Sequence, residues 1–298
     1  MLTDLAGDLV AKANQLSGQI QLTVRDSIGD LVRSMNCYYS NLIEGHNTHP
    51  RDIDAAIDDN YSTDPQRKAL QQEAIAHIEV QRLIDNGEDP QVSPMSAEYV
   101  RWLHFEFCRR LPSEMLWVEH PDTGVRVQVV PGEFRTGDVE VGRHVPPAAD
   151  QLDAHLARFE QAYDAERLSR TQQIIAIAAA HHRFLWIHPF YDGNGRVVRL
   201  QSHAALLRCG VGSSVWSVAR GLARSAADYK RKLAAADAPR QGDLDGRGAR
   251  SAATLEAFCE FFLTTCIDQV TFMESLLQPG ELLRRMKIYA DDEEAAGR

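Results

Sequence analysis

The sequence predicts an all-α fold, in which a helical bundle surrounds one buried central helix and carries a single β-hairpin. Three observations lead to this prediction. Apolar residues recur at helical spacing along most of the chain, the segment QQIIAIAAAHHRFLWI (172–187) is apolar on nearly every side, and only residues 125–145 alternate as a strand does. Because a lone hairpin cannot form a core sheet, it should lie on the helical body, as a surface loop or as a flap over a site.

Composition excludes several classes of protein. The chain has 298 residues, of which 44% are hydrophobic and 25% charged, so it can bury a sizeable core. Its net charge of -10 argues against a general nucleic-acid surface. Five cysteines without C-x-x-C spacing favour reduced thiols. The start, MLTDLAGDLV, lacks a basic signal-peptide region, and no apolar run approaches the ~18 residues that span a bilayer. The prediction is a cytoplasmic protein with no membrane or nucleic-acid partner.

Residues 1–90 are predicted to form an N-terminal helical segment. One helix contains the periodic apolar positions between Ile28 and Leu42 and ends before Gly45. A second begins at Pro65, behind a Thr-Asp cap, and runs towards Asp85. The linker-like stretch EDPQVSP then separates this segment from the core.

Residues 91–277 are predicted to form the core domain. Its expected helices are one through Trp102, Phe105 and Leu111, an amphipathic helix at 151–168, the central helix at 172–187, and helical segments at 213–236 and 253–277. The hairpin breaks at Pro131-Gly132 and turns at 136–138. Residues 278–298, which end in DDEEAAGR, read as a disordered acidic tail.

The stretch HPFYDGNGRVVR (188–199) resembles a turn at first sight, because Asn-Gly is a strong hairpin signal. Pro189, however, removes a strand hydrogen-bond donor, and the apolar positions from Val197 to Leu207 follow helical spacing. The loop therefore joins the central helix to the start of another helix, where free N–H groups favour an anion. Arg196 and Arg199 in the first turn of that helix are unfavourable there unless an anion lies between them. The sequence thus predicts a phosphate site.

Each residue type in this loop suits one chemical role. His188 can accept a proton near neutral pH. Asp192 is a hard oxygen ligand suited to Mg²⁺ between phosphates. The backbone of Gly193-Asn194-Gly195 can cradle an anion, and the two arginines can hold further phosphate groups. Taken singly, each also has a structural interpretation: a helix-end histidine, a turn-forming aspartate or a solvated arginine.

Taken together, the loop resembles the Fic-domain signature, H-x-F-x-[D/E]-G-N-G-R-x-x-R, and matches it at every specified position. The matching residues are His188, Phe190, Asp192, Gly193, Asn194, Gly195, Arg196 and Arg199. PGEFRTGDVEVG (131–142) looks like the family's flap hairpin, and HVPP (144–147) resembles the family's segment just after that flap. SVARGLARSAADYKRKL (217–233) is similar to the segment that closes the nucleotide pocket. The resemblance covers roughly residues 35–270 and implies a Fic-type helical core.

The resemblance implies transfer of AMP from ATP to a Ser, Thr or Tyr hydroxyl of a protein. In that interpretation His188 deprotonates the hydroxyl and Asp192 holds Mg²⁺ on the α- and β-phosphates. The glycine loop and Arg196 bind phosphates, and Arg199 binds the γ-phosphate. The flap at 131–142 aligns the target by main-chain pairing. Charge neutralisation and positioning would accelerate the transfer.

Two positions bear on the choice of nucleotide and reaction. Gly195 stands where family members that phosphorylate their targets carry a lysine, which favours AMP transfer. The nucleotide-pocket segment commonly has two adjacent tyrosines, whereas this chain has Tyr229 followed by Lys230. Tyr229 is the predicted nucleotide contact of that segment.

The N-terminal stretch YSNLIEGH (39–46) contains Ser40 and Glu44 on one helix face. Glu44 lies in the last turn, where the helix dipole disfavours an anion, so it should do best against a cation. By itself it reads as a solvated glutamate before a glycine cap. Beside the signature, the stretch resembles the family's inhibitory motif, [S/T]-x-x-x-E-[G/N], placed N-terminally as in class II members. The implied partner is Arg199, whose pairing with Glu44 would occupy the γ-phosphate site.

Two alternatives stay open. The same site could belong to a hydrolase that removes AMP from a modified protein, with Glu44 orienting the water. It could also belong to a non-catalytic nucleotide-binding module, although His188, Asp192 and Arg199 are all present. The sequence leaves open the target protein, self-modification and homodimerisation.

Overall fold

A computed structural model describes residues 1–20, 22–119, 124–277 and 287–288 of the chain. Within these ranges the α-helices are α1 (Leu2–Gln19), α2 (Leu22–Ile43), α3 (Pro50–Ile57), α4 (Pro65–Asp85), α5 (Ala97–Cys108), α6 (Leu152–Ala162), α7 (Arg170–Ile187), α8 (Asn194–Arg208), α9 (Ala219–Arg224), α10 (Ala226–Ala236) and α11 (Ala252–Leu277). Two short strands, β1 (Trp117–Glu119) and β2 (Arg126–Gln128), pair antiparallel. None of the described helices is long and apolar enough to cross a membrane. The predicted mostly helical fold with one hairpin is confirmed.

The central helix is α7, which packs against α6, α8, α11 and α1. Its apolar side chains Ile174 and Phe184 are completely buried. A capping box fixes its start, since Ser169 and Gln172 each bond the other's backbone. On the far side of α8, helices α2 and α4 pack against each other and against α8. Helix α5 also packs against α4 and α8, so the helix that follows the loop is in contact with α2, α4 and α5.

Helix ends follow the predicted start and stop signals. Asp64 caps α4 by accepting a hydrogen bond from the Arg67 N–H at 2.8 Å. Gly45 and Gly87, just beyond α2 and α4, have φ of 89° and 71°, a left-handed conformation that glycine adopts without steric cost.

Four helical elements differ from the sequence-based expectation. The helix expected at 151–168 ends at Ala162, because the Asp164 side chain accepts from the Glu166 N–H and starts a separate 3-10 turn. The segment expected at 213–236 is two helices broken at Ser225. Helices α1 and α3 lie within the predicted N-terminal helical segment but were not predicted individually, although Leu9 in α1 is completely buried. The predicted acidic tail, 278–298, lies outside the described residues except for 287–288.

The hairpin lies upstream of its predicted position. Val118 of β1 pairs with Val127 of β2, whereas residues 131–142 contain no strand and Val141 forms only an isolated bridge to His144. The reason is that backbone N–H groups of this segment bond to the helical body instead of to a second strand. Gly132 N–H donates to His104 Nδ1 at 2.8 Å and Arg135 N–H to the Pro189 carbonyl at 2.9 Å. We keep the name flap for residues 131–142.

Candidate active site

The loop between α7 and α8, residues 188–193, is shaped by two left-handed residues. His188 follows the last residue of α7 with φ of 50°, and Gly193 precedes α8 with φ of 80°. A histidine pays a steric penalty in this conformation, so the surrounding contacts must hold it there. No side chain caps the start of α8, which leaves its first N–H groups free to bind an anion.

Asn194 holds the loop together through its side chain. Its Oδ1 accepts from the Phe190 N–H at 3.0 Å, and its Nδ2 donates to the Phe190 carbonyl at 2.8 Å. Because both polar side-chain atoms are used and the residue is buried, only its backbone could contact a ligand. Phe190 in turn stacks on His104 with ring centroids 3.8 Å apart. The predicted role of Asn194 in binding is thus restricted to the main chain.

His188 is a partly buried imidazole that lines a cavity described below. Burial, together with the nearby His144 and Arg135, lowers its pKa to about 4. The ring is therefore neutral at pH 7 and able to accept a proton. Arg135, almost completely buried, fixes the backbone beneath it, because its Nε donates to the His188 carbonyl at 2.9 Å.

Arg199 bonds to two residues at the end of α2. Its Nε donates to Ser40 Oγ at 2.8 Å, and its terminal nitrogen donates to the Ser40 carbonyl at 3.1 Å and to Glu44 Oε1 at 2.6 Å. The Arg199 side chain is 2% exposed and that of Glu44 is 31% exposed. Burial by itself would raise the pKa of Glu44, but Arg199 and Arg196 lower it, so the carboxylate is ionised at neutral pH.

Arg196, in the first turn of α8, makes a different ion pair. One terminal nitrogen lies 2.9 Å from Oε1 of the fully buried Glu73 on α4, and the other lies 3.4 Å from Asp192. Glu73 Oε2 is also 2.6 Å from His46 Nδ1, and this hydrogen bond raises the pKa of His46. Sequence reasoning missed Glu73 and His46, because an acid and a histidine in distant segments carry no local pattern.

Asp192 is suited to bind a metal ion whose other ligands come from a substrate and from water. Its side chain is 52% exposed, and one oxygen accepts from the Gly193 N–H at 2.6 Å. Among the described residues no group of three or more His, Cys, Asp or Glu could hold a metal ion by itself. A divalent cation here would therefore complete its oxygen ligands with phosphates and water, which is how Mg²⁺ is commonly held.

A cavity of about 1010 Å³ opens beside the loop. The loop and α8 contribute His188, Gly195 and Arg199 to its wall, and Glu44 contributes from just after the end of α2. Gly195 allows this close approach, since a Cβ there would lie 2.1 Å from Glu44 Oε1. Asp192, Gly193, Asn194, Arg196 and Ser40 are not among its lining residues. The volume is sufficient for a nucleotide-sized ligand.

Tyr229 of α10 lines the same cavity, and a chain of hydrogen bonds through α7 and α8 fixes its side chain. Its hydroxyl lies 2.7 Å from His181 Nε2, and His181 Nδ1 lies 2.8 Å from Ser202 Oγ. Burial raises the pKa of Tyr229 and keeps the pKa of His181 well below its usual value, so both are neutral. His181 and Ser202 were not singled out in the sequence.

The segment after the flap closes the opposite wall. His144 Nε2 donates to the Trp186 carbonyl at 2.8 Å, and its Nδ1 lies 3.3 Å from Asp237 at the end of α10. Asp237 is also 3.1 Å from His182 Nε2, so one carboxylate links this segment to α7. These contacts hold residues 141–145 over the cavity.

The sequence is similar to known proteins over part of its length. Residues 94–206 match the Fic/DOC family. Among curated proteins, "Protein adenylyltransferase Fic" of Drosophila erecta is 42% identical over 79 residues, and that of Drosophila yakuba is 43% identical over 79 residues. Each alignment covers 26% of this chain but only 16% of the relative, so the chain spans a small part of the length of these relatives.

Solved structures show the likeness in fold. A Fic family protein from Desulfovibrio desulfuricans superposes with a TM-score of 0.64 at 20% identity, over 91% of this chain and 74% of that one. A Fic domain containing signaling protein from Bacteroides thetaiotaomicron gives 0.64 at 18%, over 90% and 96%. Fic-1 (residues 134–508) from C. elegans gives 0.65 at 14%, over 92% and 72%. The chain is thus similar to the Fic/DOC family over residues 94–206, and it has the mostly helical fold of these Fic structures.

Proposed function

We propose that this chain is a protein AMP-transferase that Glu44 holds in an inhibited state. One observation carries the proposal: Glu44 is bonded at 2.6 Å to Arg199, in the wall of the cavity that His188 also lines. The names of the Drosophila relatives, protein adenylyltransferases, support the same reaction.

His188 acts as the general base in this proposal. Its neutral imidazole takes the proton of a Ser, Thr or Tyr hydroxyl, whose oxygen attacks the α-phosphorus of ATP. One O–P bond forms, the bond between the α-phosphorus and the bridging oxygen breaks, and pyrophosphate leaves. With a pKa of about 4 the ring is unprotonated at neutral pH and can accept the proton.

The loop supplies positioning and charge neutralisation. The uncapped N terminus of α8 offers backbone N–H groups to the phosphates, and Arg199 would bind the γ-phosphate once Glu44 moves away. Asp192 would hold Mg²⁺, which would neutralise charge on the phosphates. Arg196 keeps Asp192 in place from inside the protein, since its guanidinium is buried. Tyr229 would face the nucleotide from α10.

The protein target would lie along the flap, residues 131–142. The inner side of this segment is bonded to the helical body, whereas Glu140 and Val141 are exposed. The exposed edge would offer main-chain groups to an extended target segment next to His188.

Mass spectrometry after incubation with ATP and Mg²⁺ tests the proposal. The Glu44→Gly variant should add AMP to itself or to lysate proteins, and the parent should do so far more slowly. The Glu44→Gly, His188→Ala double variant is the matched control and should add none. Bound ATP without any added AMP in Glu44→Gly would refute transfer and leave a nucleotide-binding module.

A hydrolase that removes AMP is the second candidate, because Glu44 lines the same cavity as His188 and could orient a water. An AMP-modified target protein, incubated with parent and with Glu44→Gly, separates the two reactions. Loss of AMP in the parent but not in the variant would favour the hydrolase. Slow gain of AMP by the parent would favour the inhibited transferase.

A further inference from the structure

Glu73 is a fully buried carboxylate on α4 to which the sequence assigns no role. Its Oε1 lies 2.9 Å from Arg196 in the first turn of α8, and its Oε2 lies 2.6 Å from His46 Nδ1. A buried charge is costly unless it is paired, and removal of one partner leaves the cost uncompensated. Glu73 therefore holds His46 and Arg196 together across the interface of α4 and α8.

His46 belongs to a sharp turn that comes after α2, which we call the 44–46 corner. Gly45 is left-handed with φ of 89°, and the chain reverses there, with His46 N–H donating to the Asn41 carbonyl at 3.0 Å. Because the chain turns at Gly45, the side chains of Glu44 and His46 reach different partners. Glu44 reaches Arg199, and His46 reaches Glu73.

The 44–46 corner is thus attached to α8 at two points. One attachment is direct, from Glu44 to Arg199, and the other passes from His46 through Glu73 to Arg196. We propose that Glu73 is a positioning residue for Glu44: it fixes the 44–46 corner against α8 and so keeps the Glu44 carboxylate on Arg199. This inference rests on the proposed inhibition by Glu44.

The exposure of the residues explains why a second attachment matters. The Glu44 side chain is 31% exposed at the end of a helix, whereas Arg199 is held rigidly by Ser40. A single ion pair with one solvent-exposed partner contributes little and is readily displaced by a competing phosphate. Glu73 is completely buried on a long helix, so its contact with His46 is less exposed to solvent than that of Glu44 with Arg199.

A double-mutant cycle tests the inference through ATP affinity, measured by calorimetry with Mg²⁺. His46→Asn breaks the contact to Glu73 and leaves both arginines in place. It should raise ATP affinity roughly three- to tenfold in the parent, the effect of losing one such hydrogen bond from the inhibited state. In Glu44→Gly it should have no effect, because there is no carboxylate left to position.

Glu73→Gln should likewise raise ATP affinity in the parent and have no effect on it in Glu44→Gly. Glu79→Gln is its matched control. Glu79 is on the same helix but pairs with Arg82 on the surface, so its variant should match the parent. Equal changes of ATP affinity with and without Glu44, or none from His46→Asn in the parent, would overturn the inference. If Glu73→Gln does not fold, the ATP affinities of His46→Asn with and without Glu44 are sufficient to decide the inference.

The cycle also separates this inference from the proposed function. If Glu44→Gly raises ATP affinity but transfers no AMP, the transferase proposal fails and the comparison still decides the role of Glu73. If Glu44→Gly both binds and transfers but His46→Asn changes nothing, only the inference about Glu73 fails.

Discussion

Replacement of Glu44 by glycine should raise ATP affinity by roughly 10- to 100-fold. The change removes one carboxylate 2.6 Å from Arg199, whose side chain is 2% exposed. A charge-assisted hydrogen bond of this kind contributes on the order of 1.5–3 kcal/mol, and 1.4 kcal/mol corresponds to a factor of ten. Because Glu44 is 31% exposed, solvent screening places the expected value in the lower half of that range.

The rest of the site should survive this substitution. Arg199 keeps its hydrogen bonds to Ser40 Oγ and to the Ser40 carbonyl, so the guanidinium remains oriented towards the cavity. Glu44 comes directly after Ile43, the last residue of α2, where glycine does not interrupt a helix. The thermal midpoint should therefore stay close to that of the parent.

Calorimetry with ATP and with ADP, both with Mg²⁺, is the assay. ADP lacks the phosphate that competes with Glu44, so its affinity should change much less than that of ATP. Glu44→Gln keeps the size and removes the charge, and it should recover most of the gain. Equal ATP affinity in parent and Glu44→Gly, or equal gains for ATP and ADP, would refute the competition for Arg199.

Further predictions concern the base, the metal ligand and the buried histidines. His188→Ala in the Glu44→Gly background should lower AMP transfer by roughly 10²–10⁴-fold with ATP affinity nearly unchanged, and a loss below tenfold would exclude a general-base role. Since the pKa of His188 is about 4, its protonation should reduce kcat/KM only as the pH falls towards 4, and an acid limb centred near 6.5 would contradict the buried, neutral base. Asp192→Asn should require more Mg²⁺ for half-maximal ATP binding, and an unchanged Mg²⁺ titration would place the metal elsewhere. Burial lowers the pKa of His77 to about 3 and that of His104 to about 4. Below about pH 6.5 the unfolded state therefore binds protons that the folded state does not, and the free energy of unfolding should fall as the pH drops towards 4. The expected decrease is at most about 1.4 kcal/mol per pH unit for each histidine. Chemical denaturation at several pH values measures this slope, and a constant free energy would contradict it.

Local sequence patterns were sufficient to predict most helices and to predict that the loop residues form one site. The central helix is apolar all round, α4 has a proline start and a glycine stop, and both features act within a few residues. Residues 188–199 are contiguous, so their assembly at one helix start needs no long-range contact. The flap is the counterexample: alternation predicted a hairpin within residues 125–145, but backbone donors of residues 131–142 bond to His104 and Pro189, which a strand pattern cannot reveal.

By itself, the sequence determined the elements whose residues are neighbours along the chain: the helical bundle, the glycine loop and the stop at Gly45. Which charges meet does not follow from neighbouring residues. Glu44 and Arg199 are 155 residues apart in the chain, and only the family resemblance implied that they pair. The pairing of Glu73 with Arg196 was decided by the tertiary structure alone, because α4 packs against α8. The physical reason is that burial changes what a charge requires. An exposed glutamate is satisfied by water, whereas one enclosed between helices needs a cation, and packing alone determines which cation is within reach.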